Sequence, residues 1–247
     1  MIIEKSSKEP ECRQLVKKLA SNDKKTRDSA VISLSHFLSL KKQLDYSELL
    51  KLWKGLFYCM WMSDRSFTQQ KLANDLADLV SKCSIDNALL FLNAFWETIC
   101  REWISIDVLR LNKFYLLIRK YIEQGFRVCM ASSWSQEVLK KYIFILKSIP
   151  LNPMNPKIPN SIRYHVSDVY LDELYKVSSE KIQIQNFPIQ IFLEPFVYLF
   201  KKTSDKHVRK RVLENVFQDK RIELWLNKNG DDYGSNFKML DINDDIS

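Results

Sequence analysis

The chain has 247 residues, 46% of them hydrophobic and 28% charged, with 38 Lys or Arg against 30 Asp or Glu for a net charge of +8. A chain this long and this apolar can bury a substantial core, which excludes a mainly disordered chain and a small disulfide-stapled scaffold. Its four glycines are too few for the tight turns and phosphate loops of an α/β enzyme, so helices with few special backbone conformations are expected.

All seven prolines lie at Pro10 or beyond Ile149, so Glu11 to Ile149 is free of proline breaks and an all-α fold is expected. The five cysteines, Cys12, Cys59, Cys83, Cys100 and Cys129, are widely spaced and form no CxxC pair. They are expected to be buried thiols of a reducing compartment rather than a disulfide framework or a zinc site. The opening MIIEKSSKEPECRQ has no apolar run of a secretory signal, and no stretch is long enough to span a bilayer, so no membrane is expected.

In chain order, Glu11–Ala20 reads as a short opening helix. Ser21-Asn22-Asp23 offers cap chemistry for a second helix that buries Ala30, Val31, Leu34, Phe37 and Leu38. Lys24, Lys25 and Arg27 sit near its N-terminus, where cations oppose the macrodipole, which hints at a use outside folding. Leu49–Val80 then reads as a helical hairpin around Ser63-Asp64-Arg65. Its first half places Leu49, Leu52, Trp53, Leu56, Phe57 and Met60 on one stripe, and its second half Leu72, Leu76 and Leu79. Ser63 or Asp64 is expected to cap the second half.

Asp86 is expected to cap a helix running to about Trp103, and Ser105 or Asp107 to start the next, which should stop near Gly125. On that helix Arg110, Lys113 and Lys120 share one side while Arg119 points elsewhere. Ser133 or Ser135 should cap a helix to about Ser148. Pro150–Pro159, with four prolines in ten residues, reads as a stiff connector that divides residues 1–226 into two lobes or stays within one domain. Helices resume at Ile162–Val177, after Pro188, and at Ile222–Leu226; residues 227–247 read as a loose acidic tail. Helices of similar length with short hinges and no strand periodicity suggest an irregular HEAT-like α-solenoid of stacked antiparallel hairpins, with a globular helical bundle as the alternative.

Charge is unevenly distributed. Residues 1–60 hold 12 Lys or Arg against 7 Asp or Glu, and residues 201–211, KKTSDKHVRKR, hold six bases against Asp205. Such islands suit phosphate backbones or acidic partners, or form solvated helix faces. No phosphate loop, nucleophile elbow or HExxH pair is present. His165 and Asp168, one helical turn apart, suit a structural hydrogen bond better than catalysis. No cofactor, metal or small-molecule substrate is expected. Trp53, Trp96 and Trp103 fall on apolar stripes and read as core, whereas Trp61 and Trp134 border hinges and are the candidates for exposed aromatic contacts.

Three blocks carry a resemblance: LWKGLFYCMWMSDRSFTQQKLANDLADLV from Leu52, FWETICREWISIDVLRLNKFYLLIRKY from Phe95, and IPNSIRYHVSDVYLDEL from Ile158. Together they resemble the nucleolar ribosomal-RNA-processing protein one family, Nop-type factors of large-subunit assembly. The resemblance implies a non-enzymatic nucleolar protein of the pre-ribosomal particle, required for rRNA maturation and working beside Brix-domain and WD-repeat assembly factors. It implies no catalytic residue. Lys54, Arg65, Lys71, Arg101, Arg110, Lys113 and Arg119 lie inside the matching blocks and are candidate contacts to rRNA or an acidic partner. Lys201, Lys202, Lys206, Arg209, Lys210 and Arg211 of the basic stretch join them.

Overall fold

The computed structural model describes residues 9–180 and 187–228. They form eleven α-helices and, among the described residues, no strand. The chain divides into two compact units, Met1–Val128 and Cys129–Ser247. Within each unit neighbouring helices pack side by side as an irregular HEAT-like array.

The first unit contains α1 (Glu9–Leu19), α2 (Lys24–Leu40), α3 (Tyr46–Trp61), α4 (Ser66–Asp78), α5 (Ile85–Glu102) and most of α6 (Val108–Ala131). Helix α3 is its centre, packed between α1 and α5. Its approach to α1 is close at Gly55, where a Cβ would stand 3.2 Å from Leu19 Cβ and 3.3 Å from the Val16 carbonyl oxygen. On the other side Trp53 forms an aromatic hub, with ring centroids 5.1 Å from Phe91, 5.0 Å from Phe95 and 5.0 Å from Tyr121. Both polar tips are satisfied in this hub: Trp53 Nε1 donates to the Phe91 carbonyl at 3.0 Å and the Tyr121 hydroxyl to the Leu76 carbonyl at 2.6 Å. Trp96 and Trp103 are buried as their stripes required.

Asp23 and Asp45 cap α2 and α3, accepting from the backbone N–H groups of Thr26 and Glu48. Asp107 does the same for Arg110 at the start of α6. Three sequence expectations need correction. Neither Ser63 nor Asp64 caps α4; the N-cap position is Arg65, without a side-chain bond, and Gln69 Nε2 instead reaches back to the Ser63 and Asp64 carbonyls. The cap position of α5 is Ser84, so Asp86 lies in the first turn, where its charge still favours the helix N-terminus. Gly125 does not end α6, because carrying the helix onward buries Phe126 and Val128. That burial outweighs the roughly 1 kcal/mol a mid-helix glycine costs.

The second unit contains α7 (Gln136–Ser148), α8 (Asn160–Ser179), α9 (Ile189–Lys202), α10 (Lys206–Val212) and α11 (Lys220–Lys228), with a π-helical turn at Leu213–Phe217. Helix α9 packs on α7 and α10, and α10 on α8. Its core includes Tyr170, whose hydroxyl donates to the Phe192 carbonyl at 2.9 Å and whose ring meets Phe196 at 4.7 Å. The Pro150–Pro159 segment lies inside this unit and is tied down by Arg163. The buried Arg163 guanidinium donates to the carbonyls of Asn152, Asn155 and Ile158 at 2.6, 3.0 and 2.9 Å. Leu151 and Ile158 are buried beside it. Asn227 and Lys228 complete α11; the rest of the expected acidic tail lies outside the described residues.

After α6 the chain turns through Ser133 and Trp134, with φ of 54° and 60°. Two successive non-glycine residues in this region cost on the order of 1–2 kcal/mol each. The turn is held by the Trp134 N–H donating to the Cys129 carbonyl at 2.9 Å, and by the indole of Trp134 against Phe187 and Phe192.

Candidate functional site

The C-terminus of α3 exposes the carbonyls that no further helical turn can satisfy. Three cations from distant positions meet them. Lys113 Nζ donates to the Trp61 and Ser63 carbonyls at 2.6 and 2.7 Å. Arg110 Nε reaches the Trp61 carbonyl at 3.4 Å while its guanidinium lies 4.8 Å from the centre of the Trp61 ring. Arg27, buried at the start of α2, reaches the Met62 carbonyl at 3.5 Å and the Ser21 and Asn22 carbonyls at 2.9 Å. Positive charge at a helix C-terminus favours the macrodipole, so the cluster stabilises the hinge electrostatically. Burial, reinforced by the neighbouring Arg110, holds Lys113 down to about 8. Arg27 thus serves folding directly, against the hint that the cations of this turn have an outside use.

The hinge therefore divides the sequence-selected residues. Lys113 is only 4% exposed and is committed to carbonyls. Arg110 is half-buried, shared between Trp61 and Asp107. Trp61 is half-buried beneath it. Arg65 and Lys54 are exposed. Lys71 is exposed and paired with Asp75 at 2.7 Å, and Arg101 is paired with Glu102 at 2.8 Å. Arg119 is half-buried, and Lys120 lies 3.5 Å from Glu123.

Beside the hinge, at the α5–α6 turn, the structure shows a feature that sequence reading passed over. Ile104, Val108 and Leu109 are 79, 80 and 92% exposed. Three large aliphatic side chains within six residues, solvated next to Arg110, form an apolar corner of the kind that protein contacts use. The available signal was their position, apolar residues set in a capping turn around Asp107 rather than on a helical stripe.

In the second unit the basic stretch spans the end of α9, the loop at Thr203 and all but the last residue of α10. Lys201, Lys202, Lys206 and Lys210 are exposed, Lys210 standing 3.7 Å from Glu214. The two arginines fold back. Arg209 donates to the Thr203 carbonyl at 3.0 Å and lies over Phe200, and Arg211 lies 3.6 Å from Asp168 and over Tyr164. Asp168 also accepts from Asn215 at 2.6 Å, so α10 and the π-helical turn engage it. Trp134 is half-buried, its ring against Phe187 and Phe192.

Among the described residues no cluster of three or more His, Cys, Asp or Glu is arranged to hold a metal ion, and no helix is long and apolar enough to cross a membrane. The first unit exposes the apolar corner and the half-covered indole, and the second the solvated lysines.

A family model described as the nucleolar protein Nop52 matches residues 10–245. The chain is 39% identical over 212 residues to human ribosomal RNA processing protein 1 homolog B, a match covering 83% of this chain and 27% of that protein. It is 35% identical over 212 residues to mouse homolog A, covering 83% and 42%. A fruit-fly homolog, from Drosophila melanogaster, is 29% identical over 215 residues, covering 82% and 30%. The chain spans less than half the length of each of these relatives.

Proposed function

The chain belongs to the Nop52 nucleolar protein family, and from that membership we propose that it is a non-catalytic nucleolar factor of pre-rRNA processing. In this reading it serves maturation of the large ribosomal subunit as a helical scaffold within the pre-ribosomal particle. Its relatives, all ribosomal RNA processing proteins by name, support the process. The observation that carries the scaffold mechanism is the solvated apolar corner of Ile104, Val108 and Leu109 beside the Arg110–Trp61 stack. Exposed aliphatic groups bordered by an arginine on an indole suit the apolar core of a protein interface. The partners proposed for it are assembly factors of the Brix-domain and WD-repeat kinds. Contact with rRNA is assigned to the solvated lysines Lys201, Lys202 and Lys206.

Affinity purification of the tagged protein with and without RNase tests this reading. A defined set of assembly factors that survives RNase, and is lost in Leu109→Asp, supports the scaffold. Loss of every partner on RNase treatment overturns it in favour of a direct RNA-binding module.

A further inference from the structure

A groove of about 1250 Å³ runs along the first unit between α2 and α4. At one end stands the Val80–Lys82 turn, which packs on α2, and at the other the hinge, where Arg27 reaches the Met62 carbonyl and Trp61, Ser63 and Arg110 join the lining. Both walls are helical stripes. Val31, Ile32 and Ser35 line it from α2, and Thr68, Leu72 and Asp75 from α4, with Leu79 following at its C-cap. Ile32 stands on its lip, 73% exposed. We propose that this groove is the docking site for an amphipathic α-helix of a protein partner, with an apolar stripe flanked by charges of both signs.

Dimensions support a helix. Lys24 to Ser39, the stretch of α2 that lines it, spans about 22 Å at 1.5 Å per residue, about four turns of a helix laid alongside. The walls are helices whose backbones are internally bonded, so they offer an extended peptide no ladder to join. A helix satisfies its own backbone and needs only side-chain contacts.

The engagement of its charges favours a protein over RNA. Asp28, Asp64, Asp75 and Asp78 line the groove and oppose a phosphate backbone. Of the six bases that line it, Lys24 and Lys71 are matched to Asp28 and Asp75, Arg27 and Arg110 are engaged by backbone carbonyls and Arg110 also by Asp107, and Arg65 and Lys82 complete the set. Lys71, held above the ordinary lysine range by Asp75, also feels Asp28 from the opposite wall. The lining therefore carries both signs, on α2 at Lys24, Arg27 and Asp28 and on the opposite wall from Asp64 to Lys82, which complements a helix bearing both acids and bases beside its apolar stripe.

The inference rests on the scaffold reading in one respect, that the chain works by holding proteins. Its test places the photo-crosslinker p-benzoylphenylalanine at Ile32 in the full chain in cells, and maps the captured peptide by mass spectrometry. Parallel chains carry it at Leu109 and at Phe144, a residue 68% exposed on α7. The expected result is a peptide with apolar residues at helical spacing between acidic and basic ones, captured from Ile32 and not from Phe144. Ser35→Trp, which fills the groove from α2, should cut that yield about tenfold while leaving capture at Leu109 unchanged. Capture of RNA, of a segment without that pattern, or of the same segment from Phe144 would overturn the groove assignment. So would a yield indifferent to Ser35→Trp. Capture at Leu109 without capture at Ile32 removes the groove and leaves the scaffold; no protein capture at either position removes both.

Discussion

The ammonium of Lys113 lies 2.6 Å from the carbonyl oxygen of Trp61, a residue 52 positions earlier in the chain, and with Arg110 and Arg27 it closes the end of α3. A buried cation is tolerated there because its donors meet carbonyls that the helix leaves unsatisfied. Lys113→Met should lower stability by about 2 kcal/mol at neutral pH, the order expected when charged hydrogen bonds are removed and other donors remain nearby. Chemical denaturation followed by circular dichroism measures it.

The same residue predicts a pH dependence. Burial, with help from Arg110, lowers Lys113 from 10.5 to about 8. Between those values the unfolded chain holds more protons than the folded one, so this residue's contribution to stability rises with pH and levels off above them. Burial moves the thiols of Cys12 and Cys59 up to about 11, which lowers stability as pH passes through 9 towards 11 and masks the lysine in the total. The quantity to measure is the difference: wild type should gain on Lys113→Met between pH 8 and pH 10, under reducing conditions. A constant difference across that range would remove the titration from the account.

Arg163 should behave as a structural clasp. Arg163→Ala leaves the carbonyls of Asn152, Asn155 and Ile158 without their shared donor and should cost roughly 3 kcal/mol. Arg163→Lys should recover little, because one ammonium cannot reproduce a planar fork that serves several acceptors. Hydrogen exchange should accelerate in the Pro150–Pro159 segment first.

The basic stretch should separate by residue type. Charge reversal of Lys201, Lys202 and Lys206 together should leave the melting temperature nearly unchanged and weaken binding to an rRNA fragment. The salt dependence of that binding should lose a slope of about 2–3, since each neutralised phosphate contributes somewhat under one. Arg211→Ala should instead loosen the α8–α10 contact through loss of Asp168 and Tyr164, by under about 1 kcal/mol because the pair is partly solvated.

At the apolar corner, Val108→Asp and Leu109→Asp should each change folding stability by less than about 0.5 kcal/mol, as exposed positions do. Their effect should appear in partner recovery after RNase. A large drop in melting temperature would mean that the corner serves folding.

The apolar stripes were legible because helical periodicity is a local property: Trp53, Trp96 and Trp103 stand in the core where their spacing put them. The roles of the cations were not legible. Nothing around Lys113 distinguishes it from Lys54, yet one is buried against carbonyls and the other is exposed, because the difference lies 50 and 52 residues away at Ser63 and Trp61. Arg209 and Arg211 look equivalent to their lysine neighbours until the rings of Phe200 and Tyr164 are in place beside them. Conversely, Ile104, Val108 and Leu109 share the composition of core residues, and only tertiary placement shows that no helix of their own unit covers them. Gly125 illustrates the same limit, since a local stop signal yields where continuing the helix buries Phe126.

The half-covered indole of Trp61 has a practical consequence. Trp53, Trp96, Trp103 and Trp225 are buried and should emit in the blue, whereas Trp61, half-buried like Trp134, lies under a guanidinium whose position any ligand at the hinge would disturb. The protein thus carries a native fluorophore at the corner it is proposed to use, and a partner settling there should announce itself as a change in emission without any label.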